Sequence, residues 1–462
     1  MNKLSELINS LSAREKRQFS EFLHSSVTRT ASPMIKAFKA AVEVLENSAE
    51  IDKKAIYKKA KSVNRYDDKE YRYLQSELCR HLEYFLVEKH LESNKMQFNS
   101  LLLQSLTERN CIKSAKYILG IIRSEEIKSL EYFRIISNSE ENVMSLLSRH
   151  RRHLPENYNT VSEHIDAFYI LKKLKMFCEL INRQNILGNK TEINFYNEIN
   201  TISSHNQFRN IPLIAIYREI LITLTETNNE ASFDLLQKLV SRHKDIIEVS
   251  ELKEIYQYIK NFCIRKINEG RTDYTEKLYK IYKDILSNEK LMRSEYLSQF
   301  EFKNIVSIGI RLKENKWSRW FIDKYINYTR PEERSNVFKY NMAFWYFHSG
   351  EFKRAIKSVR DVEFTDVVYQ LDSRVILLKS YYELDEQESF FYHASAFRLF
   401  ILRNRHISDY QKKINRNLIR FLSAIVRAGT SKTKLDRLKM EIQKEKNVAD
   451  INWLIEKIDA LH

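Results

Sequence analysis

Two short stretches pair a histidine with an acid at the spacing found in zinc-dependent deaminases, His81-Leu82-Glu83 and His90-Leu91-Glu92. That chemistry needs the glutamate to move a proton while one histidine and two cysteines hold the metal, so the H-x-E half is useless without a P-C-x-x-C half. The chain has no such half. Its four cysteines, Cys79, Cys111, Cys178 and Cys263, stand 32, 67 and 85 residues apart, a spacing that also denies it a local zinc ribbon or redox dithiol. His81 and His90 read as ordinary residues of a long helix. A phosphate cradle of backbone amides is equally hard to build, because the six glycines are scattered and form neither G-x-x-x-x-G-K-[ST] nor G-x-G-x-x-G. Neither a G-x-S-x-G elbow nor H-E-x-x-H occurs. The acidic pairs Asp67-Asp68, Glu125-Glu126, Glu140-Glu141 and Glu332-Glu333 are expected near helix starts, where the helix dipole favours negative charge. The expectation is a protein with no catalytic residue, no cofactor and no metal, and therefore not an enzyme.

What the sequence does concentrate is positive charge. The formal net charge is +16, yet residues 1–92 hold 17 Lys/Arg against 14 Asp/Glu, whereas residues 397–439 hold 12 Lys/Arg against Asp409 and Asp436 alone. Lys413, Arg416, Arg420 and Arg427 are spaced 3, 4 and 7 apart, which places them on one helix face, opposite Ile414, Leu418, Phe421 and Ile425. Arg403 and Arg405 precede them. Such a stripe is the solvated back of a helix, a surface for an acidic protein, or a surface for phosphates. A second cluster, Arg149-His150-Arg151-Arg152-His153, stands before Leu154-Pro155 and reads as a helix end or loop. Trp317, Trp320 and Phe321 fall on one face and are either core anchors or a peptide-gripping patch.

The elements that must carry these residues are helices. Only 6 Gly and 4 Pro occur in 462 residues, too few for the hairpins of a sheet protein, and aromatics reach 12%, enough to fill a large interior. Ser12-Ala13-Arg14-Glu15 has the spacing of a capping box, Ser32-Pro33, Ile211-Pro212 and Arg330-Pro331 mark helix starts, and Asp52 and Asp67 offer further caps. Apolar residues recur with a period near 3.6, as in Ile170/Leu171, Leu174, Phe177/Cys178 and Ile181. About 20 helices are expected. No run of about 18 apolar residues offers a membrane span, and the N-terminus lacks an apolar leader core, so the chain reads as cytoplasmic.

Three regions are expected: an N-terminal helical bundle over 1–92, a degenerate helical-repeat region over 93–250, and tetratricopeptide-like repeats with basic C-terminal helices over 251–462. The repeat pattern is plainest at Asn341, Ala343, Tyr346, Gly350, Phe352 and Ala355. There a small residue lets paired helices approach, a tyrosine fills the groove, glycine turns the chain and two residues anchor the return helix. Weaker echoes at Cys263 with Gly270, near Asn315 with Trp317, and at Leu378 with Tyr381 and Tyr382 space the turns about 35–45 residues apart.

The segments Asn261–Gly270, Phe302–Leu312, Val362–Glu386 and Ala396–Arg405, with the opening Leu11–Ser25 and the closing Ile451–Ile458, resemble a group of uncharacterised tetratricopeptide-like proteins common in Bacteroidota. The resemblance implies a cytoplasmic helical-repeat fold and brings no activity and no functional residues. Cys263 departs from the pattern by standing at the small-residue position. The fold expected is thus an all-α, helical-hairpin (TPR-like) solenoid preceded by a bundle. Its expected function is a scaffold that binds a protein or peptide, with nucleic acid held by the stripe at 397–439 as the alternative.

Overall fold

Local capping chemistry starts several helices where the residues predict. In the computed structural model, Glu15 Oε2 accepts from the Ser12 backbone N–H at 2.8 Å while Ser12 Oγ accepts from the Glu15 N–H at 3.3 Å, closing the capping box. Asp52 and Asp67 cap the helices Lys53–Lys61 and Asp68–Ser93, and Pro212 and Pro331 open the helices Pro212–Thr225 and Pro331–His348. The Ala31–Asn47 helix begins two residues earlier than Ser32-Pro33 implies, which a proline tolerates because no N–H in a first turn has an intrahelical partner.

The structure describes residues 2–24, 31–47, 52–150, 158–187, 192–226, 228–293, 296–360, 366–445 and 447–461. Among them are 25 α-helices, two 3₁₀ turns and no strand, more helices than expected because short pieces such as Asn206–Arg209 and Glu289–Arg293 interrupt the long ones. None of the described helices is long and apolar enough to cross a membrane. Arg151, Arg152 and His153 of the second basic cluster lie outside the described residues, and Arg149 and His150 are the last two residues of the Leu130–His150 helix.

The chain divides into two units, 1–221 with 239–247, and 222–238 with 248–462. In the first, the helices between Lys3 and Ser93 share one core in which Phe19 meets Phe38 at 4.8 Å and Phe85 at 5.3 Å, both edge-on. His81 and His90 lie along the Asp68–Ser93 helix, and Glu83 is taken by an ion pair with Lys3 at 2.6 Å. Beyond this core, the helices Lys95–Glu108 and Ile112–Arg123 form a hairpin turned by Asn110 at φ 57°.

Glu140 and Glu141 correct one expectation: they stand in the middle of the Leu130–His150 helix, not at its start. Glu140 is 2% exposed, and its carboxylate accepts from Arg123 Nε at 2.9 Å and meets His164 Nδ1 at 2.8 Å. Burial pushes its pKa up, but the bonds from His164 and Arg123 outweigh burial and leave the carboxyl below its ordinary value. A depressed folded-state pKa adds stability above the unfolded-state value, and that stability is lost as pH falls through the folded-state value. Glu140→Gln is therefore expected to cost about 2 kcal/mol at neutral pH, less than a fully buried pair because Arg123 can return to water. Denaturant titration of both proteins should show this difference shrinking towards zero in acid.

In the second unit the helices come as successive hairpins, and four of them close with the same turn. Gly270, Lys313, Gly350 and Asp385 all take left-handed backbone, with φ of 92°, 62°, 78° and 52°. At each, two backbone bonds reach back across the turn, as when Glu351 N–H donates to Tyr346 O at 2.9 Å and Gly350 N–H to Phe347 O at 3.2 Å. These turns are 43, 37 and 35 residues apart. Seven residues before each stand Cys263, Val306, Ala343 and Leu378, every one 0% exposed. Five residues after each stand Thr275, Ser318, Ala355 and Phe390, also buried. Cys263 fills its place as a small apolar residue, its thiol pushed up to about 12 by burial. The closing Ile451–Asp459 helix is clamped to the Val367–Glu383 helix by Lys379–Asp450 at 2.6 Å and Lys457–Glu383 at 2.7 Å.

Candidate interaction surfaces

The signature hairpin is built from the helices Pro331–His348 and Phe352–Arg360. Ala343 and Ala355 are both 0% exposed and share a core with Tyr340, Phe347, Val359, Tyr369 and Ile376, so small side chains do stand where two helix backbones approach. Phe352 meets Phe347 at 5.6 Å, and Tyr346 is half-buried under the Arg354 guanidinium at 5.6 Å. Asn341 is fully buried and spends its amide N–H on Val337 O at 2.7 Å. All six residues serve packing and turning.

The basic stripe keeps the geometry its spacing predicts. Lys413, Arg416, Arg420 and Arg427 are exposed on the Asp409–Ala428 helix, while Leu418, Phe421 and Ile425 are buried on its other side. Arg403 ends the Gln387–Arg403 helix and Arg405 follows it, both exposed. Arg420 lies over Phe421 at 4.3 Å and Arg427 over Phe391 at 5.4 Å. None of these six cations makes an ion pair among the described residues.

A concave surface forms around the tryptophans. Phe321 is core, at 0% exposure, but Trp320 is 45% exposed and Trp317 is half-buried. They belong to the Asn315–Tyr325 helix, which runs on through a 3₁₀ turn to Tyr328. With the end of the Asp273–Ser287 helix and the short Glu289–Arg293 helix they form a cleft of about 460 Å³, lined by the rings of Trp317, Trp320, Tyr325 and Tyr328 and by the charged side chains of Lys283, Lys324 and Glu289. That volume lies in the range of small-ligand and side-chain pockets. The rings brace one another: Trp317 to Trp320 at 6.2 Å, Trp320 to Tyr325 at 5.8 Å, and Tyr325 to Tyr328 at 5.4 Å. Tyr325 also donates its hydroxyl to Leu286 O at 3.4 Å, and burial raises its pKa.

Gly309 lets this helix seat so closely. A Cβ at Gly309 would fall inside contact distance of Ser318 Oγ and within 3.1 and 3.2 Å of the Trp317 ring. In the common turn register Gly309 stands four residues before Lys313, where the signature hairpin has Tyr346, and the indole of Trp317 lies against the bare position.

Charge sets what the cleft can accept. Lys324 lies over the Trp320 ring at 4.7 Å and the Tyr325 ring at 5.4 Å, and Lys283 lies over Tyr279 at 5.0 Å. Neither ammonium has a carboxylate partner among the described residues. A cationic ligand would meet Lys283 and Lys324, the second already placed on two of the cleft's rings, and a stacking base would have to displace Lys324. An anion beside an apolar group meets both ammonium groups, and Glu289 is the one lining carboxylate among the described residues that opposes it. Trp317 and Trp320 were visible from spacing alone, whereas Lys283 is separated from them by a whole hairpin. Among the described residues no group of three His, Cys, Asp or Glu is placed to hold a metal ion. No family model matches the chain, and no curated protein or solved structure is detectably similar to it.

Proposed function

We propose that the protein is a non-enzymatic interaction scaffold of the cytoplasm that holds an acidic segment of a partner protein. In this reading its successive hairpins form a tetratricopeptide-like superhelix, as the resemblance to the Bacteroidota group implies. The observation that carries it is the pair Lys283 and Lys324, without carboxylate partners among the described residues, beside four aromatic rings in one cleft. Aromatic anchors with neighbouring cations are the residue types on which protein–protein affinity concentrates. Stacked hairpins supply extended surface for such sites without further devices.

A second reading, association with RNA through the stripe at 397–439, is favoured by the six cations on or beside one helix face that make no ion pair among the described residues. Affinity purification from the native host, with and without nuclease, separates the two. The scaffold reading expects a protein that survives nuclease and is lost with Lys324→Glu. The nucleic-acid reading expects retention on RNA that falls steeply between about 50 and 200 mM salt and is lost when Lys413, Arg416 and Arg420 become glutamate.

A further inference from the structure

The Tyr158–Leu187 helix is apolar on two opposite sides. One side is core, where Ile170, Leu171, Leu174, Phe177 and Cys178 are at most 2% exposed. On the other, Tyr158, Ile165, Tyr169, Met176 and Leu180 are 65, 41, 47, 46 and 37% exposed. Their spacings of 7, 4, 7 and 4 residues hold them within a sector of roughly 60° and along about 33 Å of helix. A contiguous apolar stripe of that length in water marks a contact surface.

The charges along one edge of the stripe say what covers it. Asp166 and Lys173 stand on the same edge, three residues before Tyr169 and four residues after it. Asp166 is exposed, and neither residue makes an ion pair among the described residues; Lys173 lies over the rings of Tyr169, Phe177 and Phe195 at 6.0, 5.5 and 5.6 Å. Phe195 is itself 60% exposed and widens the apolar patch. When two copies of one helix pack antiparallel about a two-fold axis, like edges face each other and residues equally far on either side of the axis meet. An axis beside Tyr169 therefore brings acid to base twice over. A surface for an unrelated partner has no need of this internal symmetry.

We propose that this stripe is a homodimer interface, on which the same helix of a second copy packs antiparallel about Tyr169, with Asp166 of each copy against Lys173 of the other. The inference is independent of the tryptophan cleft, which belongs to the other unit.

Sedimentation velocity on the full chain, over a concentration series reaching high micromolar, tests it. Wild type should show a monomer–dimer equilibrium. Asp166→Lys and Lys173→Asp each set like charges together twice and should weaken self-association at least about tenfold, with the thermal midpoint unchanged. Mixed in equal amounts, the two variants restore both opposite-charge pairs and should dimerise with each other. If Lys173→Asp does not fold, Ile165→Glu replaces it and must give a folded monomer. Wild type monomeric throughout, single variants that self-associate as wild type does, or a mixture that fails to pair would each overturn the interface.

Discussion

Gly309→Ala is expected to lower the free energy of unfolding by about 2–3 kcal/mol, a large effect for one added methyl group. The methyl has nowhere to go. It points from the Gln299–Arg311 helix at Ser318 Oγ and the Trp317 ring, both part of the partner helix of the same hairpin. Close-packed interiors yield little to such an insertion, so either the helices part or Trp317 leaves its place. Among the described residues the Ser318 hydroxyl is bonded only to Glu314 O, at 3.0 Å, at the start of its own helix. Removing it makes room at small cost, so Gly309→Ala with Ser318→Ala should recover part of the lost stability, measured by denaturant titration of the four proteins as a cycle. A Gly309→Ala protein as stable as wild type would mean that these helices do not approach as described. Because Trp317 lines the cleft, this variant should also weaken partner capture.

Trp320→Ala is expected to do the reverse, weakening capture of the partner about 30-fold while changing stability by less than about 1 kcal/mol. The indole is 45% exposed and presents its free surface to the cleft, so the fold loses little when it goes. An aromatic anchor in a desolvated pocket, by contrast, is worth about 2 kcal/mol or more to binding. The two variants separate the roles of neighbouring tryptophans: Trp317 holds the hairpin together, and Trp320 meets the partner. Titration of the purified partner against both variants, with thermal denaturation alongside, reads the difference. Equal loss of stability in both would place Trp320 in the core.

How much of this was legible in the sequence depended on how local its cause is. Asp52, Asp67, Pro212 and Pro331 mark helix starts because a cap acts on its own first turn. Gly270 and Gly350 announce their turns because glycine tolerates φ above zero, whereas Lys313 and Asp385 take the same backbone without the telltale residue. Asn110 does likewise in the region whose register the sequence hides. The basic stripe is visible because Lys413, Arg416 and Arg420 repeat at helical spacing on a helix with one plain apolar face. The Tyr158–Leu187 stripe is hidden by the opposite circumstance, since two apolar faces blur the period that would reveal either. Glu140 was misplaced because its partners Arg123 and His164 are 17 and 24 residues away, while the serine that caps its helix, Ser129, which accepts from the Tyr132 N–H at 3.1 Å, was not read as a helix start. Lys283 joins the cleft only when one hairpin packs against the next.

The scaffold reading turns on what lies in the tryptophan cleft inside the cell. Trp320 replaced by the photoreactive residue p-benzoylphenylalanine, irradiated in the native host and analysed by mass spectrometry, identifies that neighbour directly. The account predicts a protein crosslinked through a segment rich in Asp or Glu, and loss of the crosslink when Lys283 and Lys324 are changed to glutamate. Crosslinks to nucleic acid alone, or to basic segments that persist after those lysines are reversed, would contradict it.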